Sequence, residues 1–190
     1  MNDATLEEFK RKLRNHSDGS CRNRADKPES KAAVLVPFAY HHSELVILFT
    51  HRSHTLVSHR GQVSYPGGMH EPTDETMQAT ALRETEEEIG ISGRNIQILG
   101  QLDCIQSHTR TLIFPFVGFI DDLNGLKNNL DEVERIFCIP YAWLSDPRNL
   151  HQEDYQRSNG EIHRVWSFND YDGEKIWGIT AEITRQLIEL

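Results

Sequence analysis

GQVSYPGGMHEPTDETMQATALRETEEEIGI, Gly61 to Ile91, places a paired-glycine loop directly before a short helix studded with carboxylates. Thr73 or Asp74 can cap the helix by accepting a bond from a free backbone N–H, and Gly90 stands where a left-handed stop costs least. The spacing predicts a helix from Glu75 to Ile89. At 3.6 residues per turn Glu84 and Glu88 share a face, Glu87 lies about 60° to the other side of Glu84, and Glu86 points nearly opposite. Ala81, Leu82, Thr85 and Ile89 are the positions that seat this helix on a core. Like charges at such spacing repel, so Glu84, Glu87 and Glu88 together invite a cation. Mg²⁺ suits oxygen ligands that leave room for water and phosphate.

The segment resembles the box of the Nudix hydrolases, in which a Gly and a Glu precede Arg-Glu-aliphatic-any-Glu-Glu-any-Gly-aliphatic. Glu75 is followed by seven residues and then by Arg83-Glu84-Thr85-Glu86-Glu87-Glu88-Ile89-Gly90-Ile91. Thr85 replaces the aliphatic residue, and six residues rather than five separate Gly68 from Glu75. The longer spacing is that of the coenzyme A diphosphatase branch. LFTHRSHTLVSHRGQVSYPGG, Leu48 to Gly68, resembles the upstream signature of the same branch, so the two matches run unbroken from Leu48 to Ile91.

The resemblance implies an α/β/α sandwich with a mixed, partly barrel-like sheet and the box helix over one side. It implies Mg²⁺- or Mn²⁺-dependent hydrolysis of coenzyme A or acyl-CoA at the diphosphate, giving adenosine 3′,5′-bisphosphate and (acyl-)4′-phosphopantetheine. Glu84, Glu87 and Glu88 would hold the metal, with Arg83 and Glu75 supporting them from behind. A later carboxylate, Glu132 or Glu134, can join the site, and the general base stays open between Glu87 and these two. Arg52 and Ser53 at a strand end, and the amides of Gly67 and Gly68, are the candidate phosphate contacts. Arg52 also reads as a structural salt bridge, and the two glycines as a tight turn. A different nucleoside diphosphate derivative (ADP-ribose, NADH or a dinucleoside polyphosphate) or a non-catalytic nucleotide-binding role are the alternatives.

Around this centre, 190 residues allow one domain with a sizeable core. Residues 1–31 read as an amphipathic helix, with Leu6, Phe9 and Leu13 at helical spacing, followed by a polar loop; residues 32–190 form the hydrolase domain. The first part is either packed on the domain or a mitochondrial targeting segment, against which Asp3, Glu7 and Glu8 count. A net charge of −9 argues against broad nucleic-acid binding, and no apolar run approaches a membrane span. Cys21, Cys104 and Cys138 are too scattered for a disulfide framework or zinc finger, which favours an intracellular setting, mitochondrial or cytoplasmic. The terminal Ile188-Glu189-Leu190 is not the Ser-Lys-Leu peroxisomal address. His51, His54 and His59 lack a convincing zinc spacing.

AAVLVPFAY and ELVILFTH predict a hairpin turning at His41-His42-Ser43. Pro115 makes TLIFPFVGFI an edge, bulged or interrupted strand. Phe114, Phe116 and Phe119 read as core, with adenine stacking as the alternative. Ala181 to Leu190 should close the fold as a helix. Oligomeric state is not legible.

Overall fold

The computed structural model describes residues 7, 9–13, 28–53, 61–156 and 160–190. Strands β1 (Ser30–His41) and β2 (Glu44–Arg52) form the expected hairpin, in which His42 and Ser43 both take positive φ and Tyr40 pairs with Leu45. Two left-handed central residues match the twist of a two-residue hairpin, here without glycine. Short strands β3 (Val63–Ser64) and β4 (Gly67–Met69) follow: β3 extends β2, and β4 pairs with the first half of β1. Helix α1 (Met77–Ile89) then crosses over. Beyond it lie β5 (Ile96–Gln101), β6 (Ile105–Gln106) and β7 (Thr111–Ile120), and β7 runs parallel to β1 along ten paired residues from Ser30↔Thr111 to Ala39↔Ile120.

Strand β8 (Val133–Pro140) joins the far side of β2, and a four-residue helix α2 (Tyr141–Leu144) follows it. A separate hairpin of β9 (Leu150–Gln156) and β10 (Ile162–Phe168) precedes the last helix, α3 (Gly178–Ile188). The sheet is mixed and open, with the path β3-β2-β1-β7-β5. Among the described residues no helix is long and apolar enough to cross a membrane.

Strand alternation sorts the core into two layers. Val36, Phe38, Ile47 and Phe49 face α3 residues Ala181, Ile183 and Leu187, and Leu13 is buried in that same layer. Phe9 meets Phe38 edge to face at 5.4 Å. On the other side Ala33, Leu35, Val46 and Leu48 pack against Ala81 and Ile89 of α1. The result is an α/β sandwich in which one carboxylate-bearing helix is pressed onto the middle of the sheet.

Three local expectations need correction. Helix α1 begins at Met77 rather than Glu75, capped by the Thr76 hydroxyl accepting from the Ala79 N–H, because Asp74 is engaged elsewhere. Its other end stops at left-handed Gly90, whose N–H bonds Glu86 O as a C-cap should. Strand β7 is continuous and central despite Pro115. The Pro115 carbonyl accepts from Leu102 N–H, so the missing proline N–H faces the break between β5 and β6, where no strand partner is lost. Helix α3 starts at Gly178, three residues ahead of the expected Ala181.

Phe116 and Phe119 are buried and Phe114 packs on the α1-side core, the positions that alternation assigns to interior side chains. Cys104 is disulfide-bonded and Cys138 is a free, half-buried thiol. His54 and His59 lie outside the described residues.

Candidate active site

The site begins with how α1 is tied down. Ala81, Thr85 and Ile89 are fully buried, and the Thr85 hydroxyl donates to Ala81 O at 2.6 Å. That bond within the helix satisfies the one polar atom which Thr85 carries into a packing position. One turn away, Glu84 is 13% exposed and Glu88 only 2%, whereas Glu87 stands at the rim, 51% exposed. Glu86 is exposed, as its place opposite the cluster requires.

The paired glycines lie over the two buried carboxylates. A Cβ on Gly68 would sit 2.4–2.5 Å from the carboxyl atoms of Glu84, so this glycine makes room for that side chain. Gly67, at φ 155°, lies against β1, where a Cβ would come within 2.4 Å of Ala33 O. Its N–H lies close enough to the Glu88 carboxyl to lower it. In this arrangement the loop amide is turned to a carboxylate, and the tight approach expected of Gly67-Gly68 is to protein atoms.

Arg83 organises one flank. Its Nε and Nη2 donate to Asp74 Oδ1 and Oδ2 at 2.9 and 3.1 Å, and its Nη1 donates to Glu87 Oε2 at 3.0 Å. Nη2 also reaches Glu84 Oε1 at 3.0 Å and Met69 O at 3.2 Å. Asp74 is itself pinned by the Glu71 N–H and the Thr80 hydroxyl. The Arg83 hydrogen bonds hold the Asp74 carboxyl far below the usual carboxylate range, and the same bonds hold Arg83 above its own. Asp74 is the residue that sequence reasoning misplaced as a cap. Its signal was present only as an acid in the loop, because its spacing from Arg83 is not a helical one.

Arg52 stands on the other flank. The register of β2 against β8 slips after His51, so that His51 faces Arg135 while Arg52 faces Val133, with Glu134 the extra residue. Such a bulge re-aims the side chains beside it. Arg52 Nη1 comes 3.6 Å from Glu88 Oε1, an ion pair too long for a hydrogen bond. Arg52 Nε and Glu88 Oε2 are both buried without a hydrogen-bond partner among the described residues.

The same bulge separates the two late carboxylates. Glu132 precedes β8, in a loop whose amides satisfy the last carbonyls of α1: Lys127 N–H donates to Ile89 O and Asn129 N–H to Glu88 O. Its own carbonyl accepts from Ser53 N–H at 2.9 Å, which ties it to the end of β2. Glu132 is near enough to raise the carboxyls of both Glu84 and Glu88. Glu134 is turned away toward His51 Nδ1, at 3.7 Å. Ser53 is buried and contributes this backbone tether, while Glu75 is exposed ahead of the helix, with no hydrogen bond or ion pair to the cluster among the described residues.

Burial pushes the Glu88 carboxyl up to about 8; Arg52 opposes the shift, Glu132 and Glu84 add to it, and the Gly67 N–H opposes it again. Glu84 is likewise raised by burial, against the pull of Arg83. Among the described residues no three acidic, His or Cys side chains are already gathered as a metal cage, since Glu87 is turned to Arg83. Glu84, Glu88 and Glu132 nevertheless bring their carboxyl groups near one another, and among the described residues one buried Glu88 oxygen has no hydrogen-bond donor. That donor chemistry fits a hard divalent cation, which takes one or two carboxylates and leaves its other positions to water and phosphate.

A NUDIX domain model matches residues 29–168, and the chain belongs to the Nudix family. A protein of Photorhabdus laumondii subsp. laumondii named uncharacterized Nudix hydrolase NudL is 41% identical over 158 residues, covering 83% of each chain. A protein of the same name from Yersinia enterocolitica is 36% identical over 167 residues, 83% of this chain and 80% of that one. Among solved structures, a C. elegans Ap4A hydrolase binary complex superposes with a TM-score of 0.50 at 18% identity, over 60% of this chain and 81% of that chain. The M. smegmatis Nudix hydrolase RenU gives 0.50 at 16% identity, over 62% and 74%. Both show the shared fold.

Proposed function

We propose that this Nudix protein is a divalent-metal-dependent diphosphatase acting on coenzyme A and its acyl derivatives, with Mg²⁺ or Mn²⁺ as cofactor. One observation carries the reading: the two signatures that resemble the coenzyme A branch meet at one place. The upstream stretch delivers Arg52 to Glu88 and folds Gly67-Gly68 over Glu84 and Glu88, so the branch-specific segment is part of the wall of the carboxylate site.

Glu84 and Glu88 would hold the metal, with Glu87 and Glu132 completing its surroundings. When bound, the metal neutralises diphosphate charge and lowers the pKa of water toward hydroxide. Arg83, fixed by Asp74, holds Glu84 and Glu87 in place. Water adds its oxygen to one phosphorus as the bridging P–O bond breaks, and the leaving phosphate departs as the second product. The proton lost by water needs a carboxylate within reach. Glu132 is better placed for this than Glu134, since it faces Glu84 and Glu88 while Glu134 faces His51; Glu87 at the rim is the other candidate.

The test is chromatography of products after incubation with Mg²⁺ or Mn²⁺ and, separately, coenzyme A, acetyl-CoA, ADP-ribose, NADH and diadenosine tetraphosphate. Metal-dependent release of adenosine 3′,5′-bisphosphate from coenzyme A, faster than turnover of the others, is the expected result. Preference for another diphosphate would discard the coenzyme A assignment and keep the hydrolase. No turnover of any substrate would count against both.

A further inference from the structure

We propose that Arg52 is an exchangeable counter-ion: it pairs with Glu88 until a divalent cation takes that carboxylate, and its guanidinium then passes to the diphosphate of the substrate. The inference rests on the diphosphatase reading and adds to it the means by which metal and substrate binding are coupled.

The geometry of the pair is the argument. Arg52 and Glu88 approach to 3.6 Å without hydrogen bonding, and each keeps a buried polar atom unsatisfied, Nε on one side and Oε2 on the other. A buried ion pair recovers its desolvation cost only when the remaining donors and lone pairs are also satisfied. Here neither partner is. Of the two, Glu88 is the fixed member: it sits on the buried face of α1, 2% exposed, beside the Gly67 N–H. Arg52 is the movable member, at a strand end beside a register slip and 23% exposed.

Each has a better partner in the proposed reaction. A buried carboxylate oxygen with no donor suits a hard cation. The guanidinium fork suits two phosphate oxygens, which would employ donors that Glu88 leaves idle. Metal binding removes the anion that detains Arg52, and a bound diphosphate removes the cation that competes for Glu88. Each ligand therefore strengthens the other, by the same factor in both directions.

Calorimetry with Mn²⁺ and α,β-methylene-ADP, a diphosphate that cannot be cleaved at its bridge, tests the exchange on wild-type, Arg52→Gln, Arg52→Lys and Glu88→Gln proteins, corrected for Mn²⁺ bound to free nucleotide. In wild type each ligand should tighten the other by about 10-fold or more. In R52Q, Mn²⁺ alone should bind at least as tightly as in wild type, because its competitor is gone. The nucleotide should bind the Mn²⁺-loaded variant about 10–100-fold more weakly, and the coupling should shrink to what direct contact between metal and diphosphate supplies. R52K keeps the charge without the fork, so its Mn²⁺ affinity should match wild type and its nucleotide affinity should fall between the two. Weaker Mn²⁺ binding in R52Q with unchanged nucleotide affinity would overturn the exchange and leave a fixed structural pair. Unchanged Mn²⁺ binding in E88Q would overturn the metal assignment itself, and the exchange with it; urea midpoints establish that each variant is folded.

Discussion

The two arginines that flank α1 carry the same charge and are used in opposite ways. Arg83 is engaged at all three nitrogens: Asp74 takes its fork with two hydrogen bonds, and Glu84, Glu87 and Met69 O accept from its Nη atoms. Among the described residues Arg52 has one loose partner and an idle Nε. A guanidinium engaged at every nitrogen holds its neighbours in a single geometry, because moving it would break several charge-assisted bonds at once. One with donors to spare is restrained chiefly by Coulomb attraction, which a stronger charge can outbid. The site thus has a fixed wall, made by Asp74, Arg83, Glu84 and Glu87, and a movable one at Arg52. Glu88 lies between them and belongs to the second.

Replacing Glu88 is the most severe way to break the contrast, since it removes the group that the movable wall serves. Glu88→Gln should lower turnover by about 10³-fold or more, in the range of losses seen when preorganised transition-state electrostatics are removed. Unfolding by urea should change little, because the lost carboxylate had an unsatisfied oxygen and a poor ion pair. A folded E88Q protein with near-normal kcat would sink the metal site.

The glycines sharpen the comparison at the next level. An added Cβ at Gly68 meets the carboxyl end of Glu84, so Gly68→Ala should displace that carboxylate, cost about 10–100-fold in kcat and lower the unfolding free energy by less than about 1 kcal/mol. The same change at Gly67 meets the Ala33 backbone oxygen, which cannot step aside. Gly67→Ala should therefore destabilise by about 1–3 kcal/mol, as overpacking does. Kinetics and urea unfolding on the pair would show whether the loop is a chemical or a structural device at each position; equal stability losses would show that Gly68 is not spacing Glu84.

What was legible in the sequence follows from the range of the interactions. The carboxylate pattern, the left-handed stop at Gly90 and the His42-Ser43 turn are written within a few residues, where period and backbone preference speak directly. The packing of Ala81, Thr85 and Ile89 under α1 was legible for the same reason. Arg52 against Glu88 was not: that pair depends on β2 lying beneath α1 and on a one-residue slip against β8, which no local pattern announces. Pro115 misled because the proline rule asks which neighbour loses a bond, and the answer lay in the break between β5 and β6. Strand β9 escaped notice because LHQEDYQ is mostly polar and exposed, without the alternation that marks a half-buried strand. Asp74 was read by its distance to the helix start, while its real partner was two turns inside the helix.

Asp74 also offers the mildest break, one that loosens the fixed wall without touching the carboxylates. Asp74→Asn keeps volume and some hydrogen bonding but removes the charge that Arg83 clasps, and should cost about 1.5–3 kcal/mol of stability at neutral pH, the usual worth of hydrogen bonds to charged groups. Turnover should fall less than 10-fold, since Glu84 and Glu87 still hold Arg83 from the other side. The pH dependence separates this from a general loss of packing. The folded Asp74 carboxyl titrates well below its unfolded value of about 3.9, so its contribution is fully present above that pH and is lost as pH falls toward the folded value. The stability gap between wild type and D74N should therefore be constant from pH 6 to 8 and narrow at pH 3. Urea midpoints at pH 7 and pH 3 measure it directly; a gap that stayed the same at pH 3 would mean that Arg83 is held by shape rather than by charge, and that the two walls differ less than their bonding suggests.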